Sequence, residues 1–302
     1  MNDQQTKQRF SRWMPALAGL GALALLVLVF TFPPAQAAAQ GFLDLFRVRR
    51  FAAITVDPAR MQQIANSKID VESLISKNVE VVKKAAEPQA VSNAAAASQA
   101  AGFAVKTPRQ LPAGMTLVET LVQGESIVRV TADTAVLQAL LDTLNIKDIK
   151  APAKLNGAVV TLRKPAMVMM RYKTSSNATV LMQAHSPEVA LPAGVSMADL
   201  GEIGLRIVGL NASEARQFAQ TIDWNTTVLV PVPANAASFR EVSVRNTKGL
   251  LITTGGTGGS SVRSPDGARQ QSLLLWSEGD MVFAVDGGFA GADLIEFANS
   301  LN

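Results

Sequence analysis

The single histidine of the chain, His185, closes the apolar run VLMQAH, and no cysteine accompanies it. Tetrahedral zinc sites are built mostly from Cys and His. One imidazole with no thiol cannot supply the ordinary form. The absence of cysteine also removes disulfides and thiolate nucleophiles. Hard cations take carboxylate oxygens instead, but the 24 acidic residues are scattered through the sequence rather than clustered. His185 therefore reads as an ordinary strand-end residue, and neither metal nor cofactor is expected. The most conspicuous local feature is TTGGTGGSSVRSPDGARQQ, residues 253–271. A Gly-rich loop cradles phosphate when a strand precedes it, a helix opens directly after it and a lysine usually joins. Here the chain runs on into the strand-like SLLLW, and no GK[ST] is present, so a hairpin loop is expected. Its charged residues Arg263, Asp266 and Arg269 form a solvated tip and a possible partner-contact loop. No G-x-S-x-G elbow, H-E-x-x-H or EF-hand pattern appears, and no particular Ser/Lys pair or carboxylate pair stands out. The expectation is a non-catalytic protein. Met167, Met169, Met170 and Met182 could line an adaptable apolar cavity, although strand alternation places Met169 and Met170 on opposite faces.

The elements that would position these residues follow from periodicity. Leu137, Leu140, Leu141 and Leu144 recur at helical spacing behind Asp133, a good N-cap. Leu200, Ile203, Ile207 and Leu210 make a second stripe. Asn211 and Glu214 form a capping box for a third, which carries Ala215, Phe218, Ala219 and Ile222. The last stripe is Leu294, Phe297, Ala298 and Leu301. AVSNAAAASQAAGF reads as a short alanine-rich helix with Gly102 as C-cap. Strands are expected at 45–57, 126–131, 158–163, 167–173, 178–183, 226–232, 239–245, 249–254, 272–277 and 280–286, whereas 58–87 looks helical or loop-like. Short links such as KTSSNA and SEGD favour antiparallel hairpins. The fold class is thus α+β, an antiparallel sheet packed with several amphipathic helices. The motif LPAG at 111–114 recurs at 191–194, a weak internal repeat.

Ahead of this region lies RWMPALAGLGALALLVLVFTFPPAQAAAQG. Residues 13–32 carry no charge, and Lys7, Arg9 and Arg12 precede them. At about 1.5 Å per residue such a run matches a bilayer core of about 30 Å, and the basic flank keeps the N-terminus cytoplasmic. One transmembrane helix is therefore expected to precede the folded domain. Cleaved signals have shorter apolar regions, but the small residues Ala35 and Ala37 suit a signal peptidase. The alternative is secretion after cleavage near Ala37. The expected organisation is a cytoplasmic tail at 1–12, an anchor at 13–32, a spacer at 33–44 and an extracytoplasmic α+β domain at 45–302. A net charge of +4 with few aromatics gives no basic stripe or stacking surface, so nucleic acid is not an expected partner.

The run AAASQAAGFAVKTPRQLPAG, closing at Gly114, passes from an alanine-rich helix through G-F-x-V to P-x-x-L-P-x-G. Residues 272–301, SLLLWSEGDMVFAVDGGFAGADLIEFANSL, end a strand in Trp276, turn, form a second strand and close on a helix with A-x-S-L. VMMRY at 168–172 and VLMQ at 180–183 lie between them as a central hairpin. In order and combination these blocks resemble a family of uncharacterised extracytoplasmic domains carried by bacterial membrane anti-sigma-factor-like regulators. The resemblance covers about 90–302, with 124–166 and 191–230 as insertions. It implies a regulatory, membrane-tethered domain with no catalytic residues to transfer. Membrane anti-sigma factors hold their sigma factor with a folded cytoplasmic domain, and the twelve residues before the anchor supply none.

The sequence-level expectation is a single-pass, non-catalytic binding or sensor domain outside a bacterial cytoplasm. It would act on a protein partner at or in the membrane, as an anti-sigma-factor-like regulator or as an accessory to a membrane complex. The alternative from another class is a lipid- or lipoprotein-handling module, in which a curved sheet closed by helices holds acyl chains. An exported enzyme with an unrecognised site is the third.

Overall fold

Apolar residues on alternate positions of β-branched runs make strands that bury one face, and most of this chain is built that way. The computed structural model describes residues 48–65, 78–175, 177–190, 197–224, 226–234, 237–254 and 271–302. The expected tail, anchor and spacer lie outside these residues, as do the second LPAG and the loop carrying Arg263, Asp266 and Arg269. No described helix is long and apolar enough to cross a membrane.

In chain order the elements are β1 (Arg50–Val56), α1 (Pro58–Ala65), β2 (Val79–Lys83), β3 (Gln89–Val91), α2 (Ala94–Ala101), β4 (Thr116–Gln123), β5 (Ser126–Thr131) and α3 (Thr134–Thr143). There follow β6 (Val159–Lys164), β7 (Met167–Lys173), β8 (Ala178–His185), β9 (Glu188–Ala190), α4 (Met197–Ile207) and α5 (Ala212–Thr221). The chain closes with β10 (Thr227–Pro233), β11 (Ala237–Val244), β12 (Thr247–Thr254), β13 (Gln271–Glu278), β14 (Met281–Gly287) and α6 (Gly291–Asn299). The large sheet runs β11-β12-β13-β14-β8-β7-β4-β3, antiparallel throughout, and a smaller one runs β2-β5-β6-β9. This is the expected α+β class, and the KTSSNA and SEGD links join paired antiparallel strands.

The two sheets are one meander with a crease. β2 leads into β3, β4 into β5, β6 into β7 and β8 into β9, and the neighbours keep the same order on both sides. Gln123 pairs with Met167 and Ser126 with Lys164, so Gly124 and Glu125 face Pro165 and Ala166 across the break. Met167 pairs with Ala184 and Arg163 with Glu188, which puts Ser186 and Pro187 at the same level. Proline has no N–H for the ladder and glycine no side chain to pack, so the ladder fails along this line.

Three corrections follow. Residues 79–83, within the stretch expected to be helical or loop-like, form β2, because Val79 and Val81 alternate and pair with Val130 and Val128 of β5. Residues 116–123 form β4, a strand absent from the periodicity reading although the resemblance implies one entering the sheet after the first LPAG, and they supply Thr120 and Val122 to the buried face. Not every pairing is antiparallel either: β1 lies parallel to β10 over seven residue pairs.

The main core lies between one face of the large sheet and helices α2 and α6. Trp276 and Phe283 stack there at 5.0 Å, and Tyr172 meets Phe297 edge-on at 5.4 Å. Met170, Leu181, Leu274, Val285 and Leu294 fill the space between them. On the opposite face the β1–β10 pair covers β12 and β13, packing Phe51, Ala53 and Val232 against Leu250 and Ile252. The helices after β5 and β9 bury their stripes elsewhere: Leu137, Leu140 and Leu141 of α3 meet Leu200 and Ile203 of α4. Leu205, Ala215 and Ala219 pack with Ile54, Val56 and Trp224 of the β1 side.

Candidate functional site

A cleft of about 380 Å³ opens between α6 and the turn that precedes β4. Two features place its walls. Residues 107–109 run against the C-terminal end: Pro108 bridges Leu301, Arg109 N–H donates to the Ser300 carbonyl, and Asn302 N–H donates to that of Thr107. This carries the chain alongside α6 and into LPAG. Met115 N–H then donates to the Pro112 carbonyl at 3.0 Å, with Gly114 at φ 74°, a left-handed conformation that glycine adopts at no cost. The other wall depends on Gly291. A Cβ there would overlap the Leu251 side chain, so glycine lets the start of α6 settle on β12.

The buried lining is apolar but for one group. Met115, Leu294 and Phe297 are 6%, 1% and 3% exposed, and Thr179 beside them is 1% exposed. Thr179 stands on the helix-covered face of β8, opposite Tyr172 on one side and Gly287 on the other. Its Oγ1 makes no hydrogen bond with any described residue. Gly287 has no side chain to crowd it, and a Cβ there would come within 2.6 Å of that oxygen. Across Gly287 lies Ser272, whose hydroxyl is also buried and unpartnered among the described residues. Buried hydroxyls almost always find a partner, and two such oxygens flanking a glycine mark an unusual place in the core. At the mouth, Leu111, Pro112 and Ala113 face Asp293 and Glu296 of α6. Both carboxylates are exposed, and neither forms an ion pair with a described residue.

The arrangement offers an apolar wall, one deep hydroxyl and two carboxylates at the entrance. This is the composition of a recognition site: apolar lining with a few placed polar groups. Among the described residues it contains no nucleophile hydrogen-bonded to a base, and no group of His, Asp and Glu is arranged to hold a metal.

The residues singled out by sequence are placed differently. His185 ends β8, where its Nδ1 lies 2.9 Å from Asp280 Oδ2 and its ring meets Phe103 edge-on, a strand-end pairing away from the cleft. Met170 is buried in the main core, whereas Met167, Met169 and Met182 stand half-buried on the opposite face. That division follows the alternation expected of the strand. Asp286 also stands on the opposite face, between Val180 and Leu273, and burial pushes its carboxyl up from the ordinary aspartate value. Of the cleft residues, the sequence reading named Leu294 and Phe297 as a helix stripe and noted the LPAG turn. It missed Thr179, Asp293 and Glu296, although a threonine opening an apolar strand and an acidic i, i+3 pair beside the stripe were visible signals.

No protein-family model, no curated protein and no solved structure matches the chain.

Proposed function

We infer that this chain is a non-catalytic binding domain, held outside the cytoplasm of a bacterial cell by its apolar N-terminal segment, with a sensory or regulatory role at the membrane. The cleft between α6 and the LPAG turn carries the binding reading. It is preformed, apolar within and polar at its mouth, and it reaches the main core directly. The uncharged run at 13–32 behind a basic flank supports the membrane placement. A role as anti-sigma-factor-like regulator or accessory to a membrane complex would rely on lateral contacts of the anchor. Small residues at Ala18, Gly21 and Ala22 suit such contacts.

Native mass spectrometry of the full chain released from lipid nanodiscs tests the binding reading. A small molecule retained by the natural protein and lost from Ala113→Trp, which fills the mouth from an exposed position, supports it. Identical spectra for the two proteins overturn the site. Fractionation with N-terminal sequencing separates the two membrane fates: an intact N-terminus in the membrane fraction supports an anchor, and a new start near residue 38 shows cleavage.

A second reading, lipid or lipoprotein handling, is favoured by the half-buried methionine face. Met167, Met169 and Met182 lie together with Val180, Ala184, Val282 and Ala284 on the side of the sheet that the β1–β10 pair leaves uncovered. Unbranched methionines accommodate varied apolar surfaces. A retained mass equal to that of a phospholipid, unaffected by Ala113→Trp, would select this reading over the cleft.

A further inference from the structure

The geometry points to a small amphiphilic amine as the ligand of the cleft, with its ammonium group at the mouth and its apolar body against the buried lining. This rests on the binding reading and adds the chemical class. Asp293 and Glu296 are three positions apart on α6, so both carboxylates stand on the same side of the helix. Both line the mouth, and neither is neutralised by a described cation. Every ionisable side chain among the described lining residues is thus an acid. Two unneutralised carboxylates beside an apolar wall attract a cation and repel an anion. Behind them Leu111, Met115, Leu294 and Phe297 offer no partner to a second charge, so the remainder of the ligand is uncharged and mostly apolar, with room for one polar group only near Thr179.

Thr179 adds the second observation. Thr179 is a lining residue of the cleft, is 1% exposed, and its hydroxyl, which sits beside Gly287, has no described hydrogen-bond partner. A hydroxyl held in this way offers one donor and two acceptor positions to a ligand group that reaches it. An acidic pair at the end of a helix would by itself be an ordinary solvated face. An acidic mouth over an apolar cleft that also contains an orphan hydroxyl has the pattern of a binding site.

The test compares hexylammonium, hexanol and hexanoate, which share one chain and differ in charge, on the full protein in nanodiscs with empty nanodiscs as the blank. Binding is read by calorimetry or saturation-transfer NMR. Hexylammonium is expected to bind most tightly and hexanoate least. Asp293→Asn with Glu296→Gln should weaken hexylammonium by about fivefold, in line with exposed ion pairs, and leave hexanol unchanged. Ala113→Trp should abolish all three. If hexanoate binds as well as hexylammonium, or the double variant leaves hexylammonium affinity unchanged, the amine assignment is wrong while the cleft remains a binding site. If Ala113→Trp changes none of the three, the cleft is not the site and the binding reading fails with it.

Discussion

Thr179 and Ser272 show what a single hydroxyl costs when it is folded away without a partner. Replacing such a group by an apolar one of the same shape removes a desolvation penalty and loses no bond. Thr179→Val is therefore expected to raise stability by about 1 kcal/mol in the unliganded protein, read as a higher urea midpoint with an unchanged slope. A lower midpoint would show that the oxygen is satisfied after all. Two carboxylates respond to pH in opposite senses. Burial alone would push the Glu278 carboxyl up, but hydrogen bonds from Lys106 Nζ (2.6 Å), Trp276 Nε1 (3.0 Å) and Arg245 Nε (2.5 Å) outweigh it and hold the group below its usual range. The folded chain then binds fewer protons than the unfolded one in acid. The contribution is complete above the ordinary glutamate value and is lost as pH falls through the folded one. Asp286 behaves in the reverse way. Its carboxyl is raised by burial, so its contribution favours folding at low pH and is lost as pH rises from 3.8 through the folded value. Urea titrations across this range should show Glu278→Gln with a flatter acid decline and a loss of about 1–3 kcal/mol at neutral pH, since Lys106 and Arg245 lose the negative charge they share and one of its two acceptor oxygens. Asp286→Asn should instead gain stability at neutral pH and little in acid.

At the scale of elements, caps and close approaches decide where helices begin and how near they come to their neighbours. Asp133 Oδ1 accepts from the N–H groups of Ala135 and Val136. Asn211 and Glu214 complete both halves of their capping box. Gly102, at φ 79°, ends α2. Each of these was legible in the sequence, because a cap is a local arrangement of a few residues with fixed chemistry. The four leucines of α3 and the stripe of α6 were legible for the same reason. The parallel pairing of β1 with β10 and the short strands β2 and β9 were not, because what holds them is contact with residues far along the chain. The cleft was legible only in pieces, since its walls come from three separated segments brought together by the bridge between Pro108 and Leu301. Gly201 belongs to this non-local class. It sits inside α4, where glycine is normally unfavourable, and a Cβ there would overlap the Trp224 ring. That ring is fixed by its Nε1, which donates to the Ala219 carbonyl at 2.7 Å. Gly201→Ala is thus expected to destabilise the protein by about 1–3 kcal/mol despite its better helix propensity, measured by thermal or urea unfolding. A neutral or stabilising outcome would mean that the indole can move aside.

Across the whole molecule, four strands pass through the crease, and the helical layer of α1, α3, α4 and α5 is assembled from the excursions between strands. The large sheet keeps one face for α2 and α6 and the other for the β1–β10 pair, so the segments on either side of the meander are needed to cover it. A fragment ending at residue 224 lacks β10 to β14 and α6. It should expose Phe51 and Ala53 together with the apolar face of β8, and bind more of a hydrophobic dye than the full chain does. Equal dye binding by the two would contradict this account of the packing. The parallel pair also sets an order in time. β1 leaves the ribosome early, yet its only strand partner among the described residues is β10, from Arg50↔Thr227 to Val56↔Pro233. Until that partner arrives, RFAAITV is an unpaired strand rich in β-formers, the kind of segment that associates with other chains. Among the described strands, the first to be made waits longest along the chain for a partner. A chain of this topology is committed to a long interval of exposure during synthesis, and it stands to gain from a holding chaperone more than its final stability would suggest.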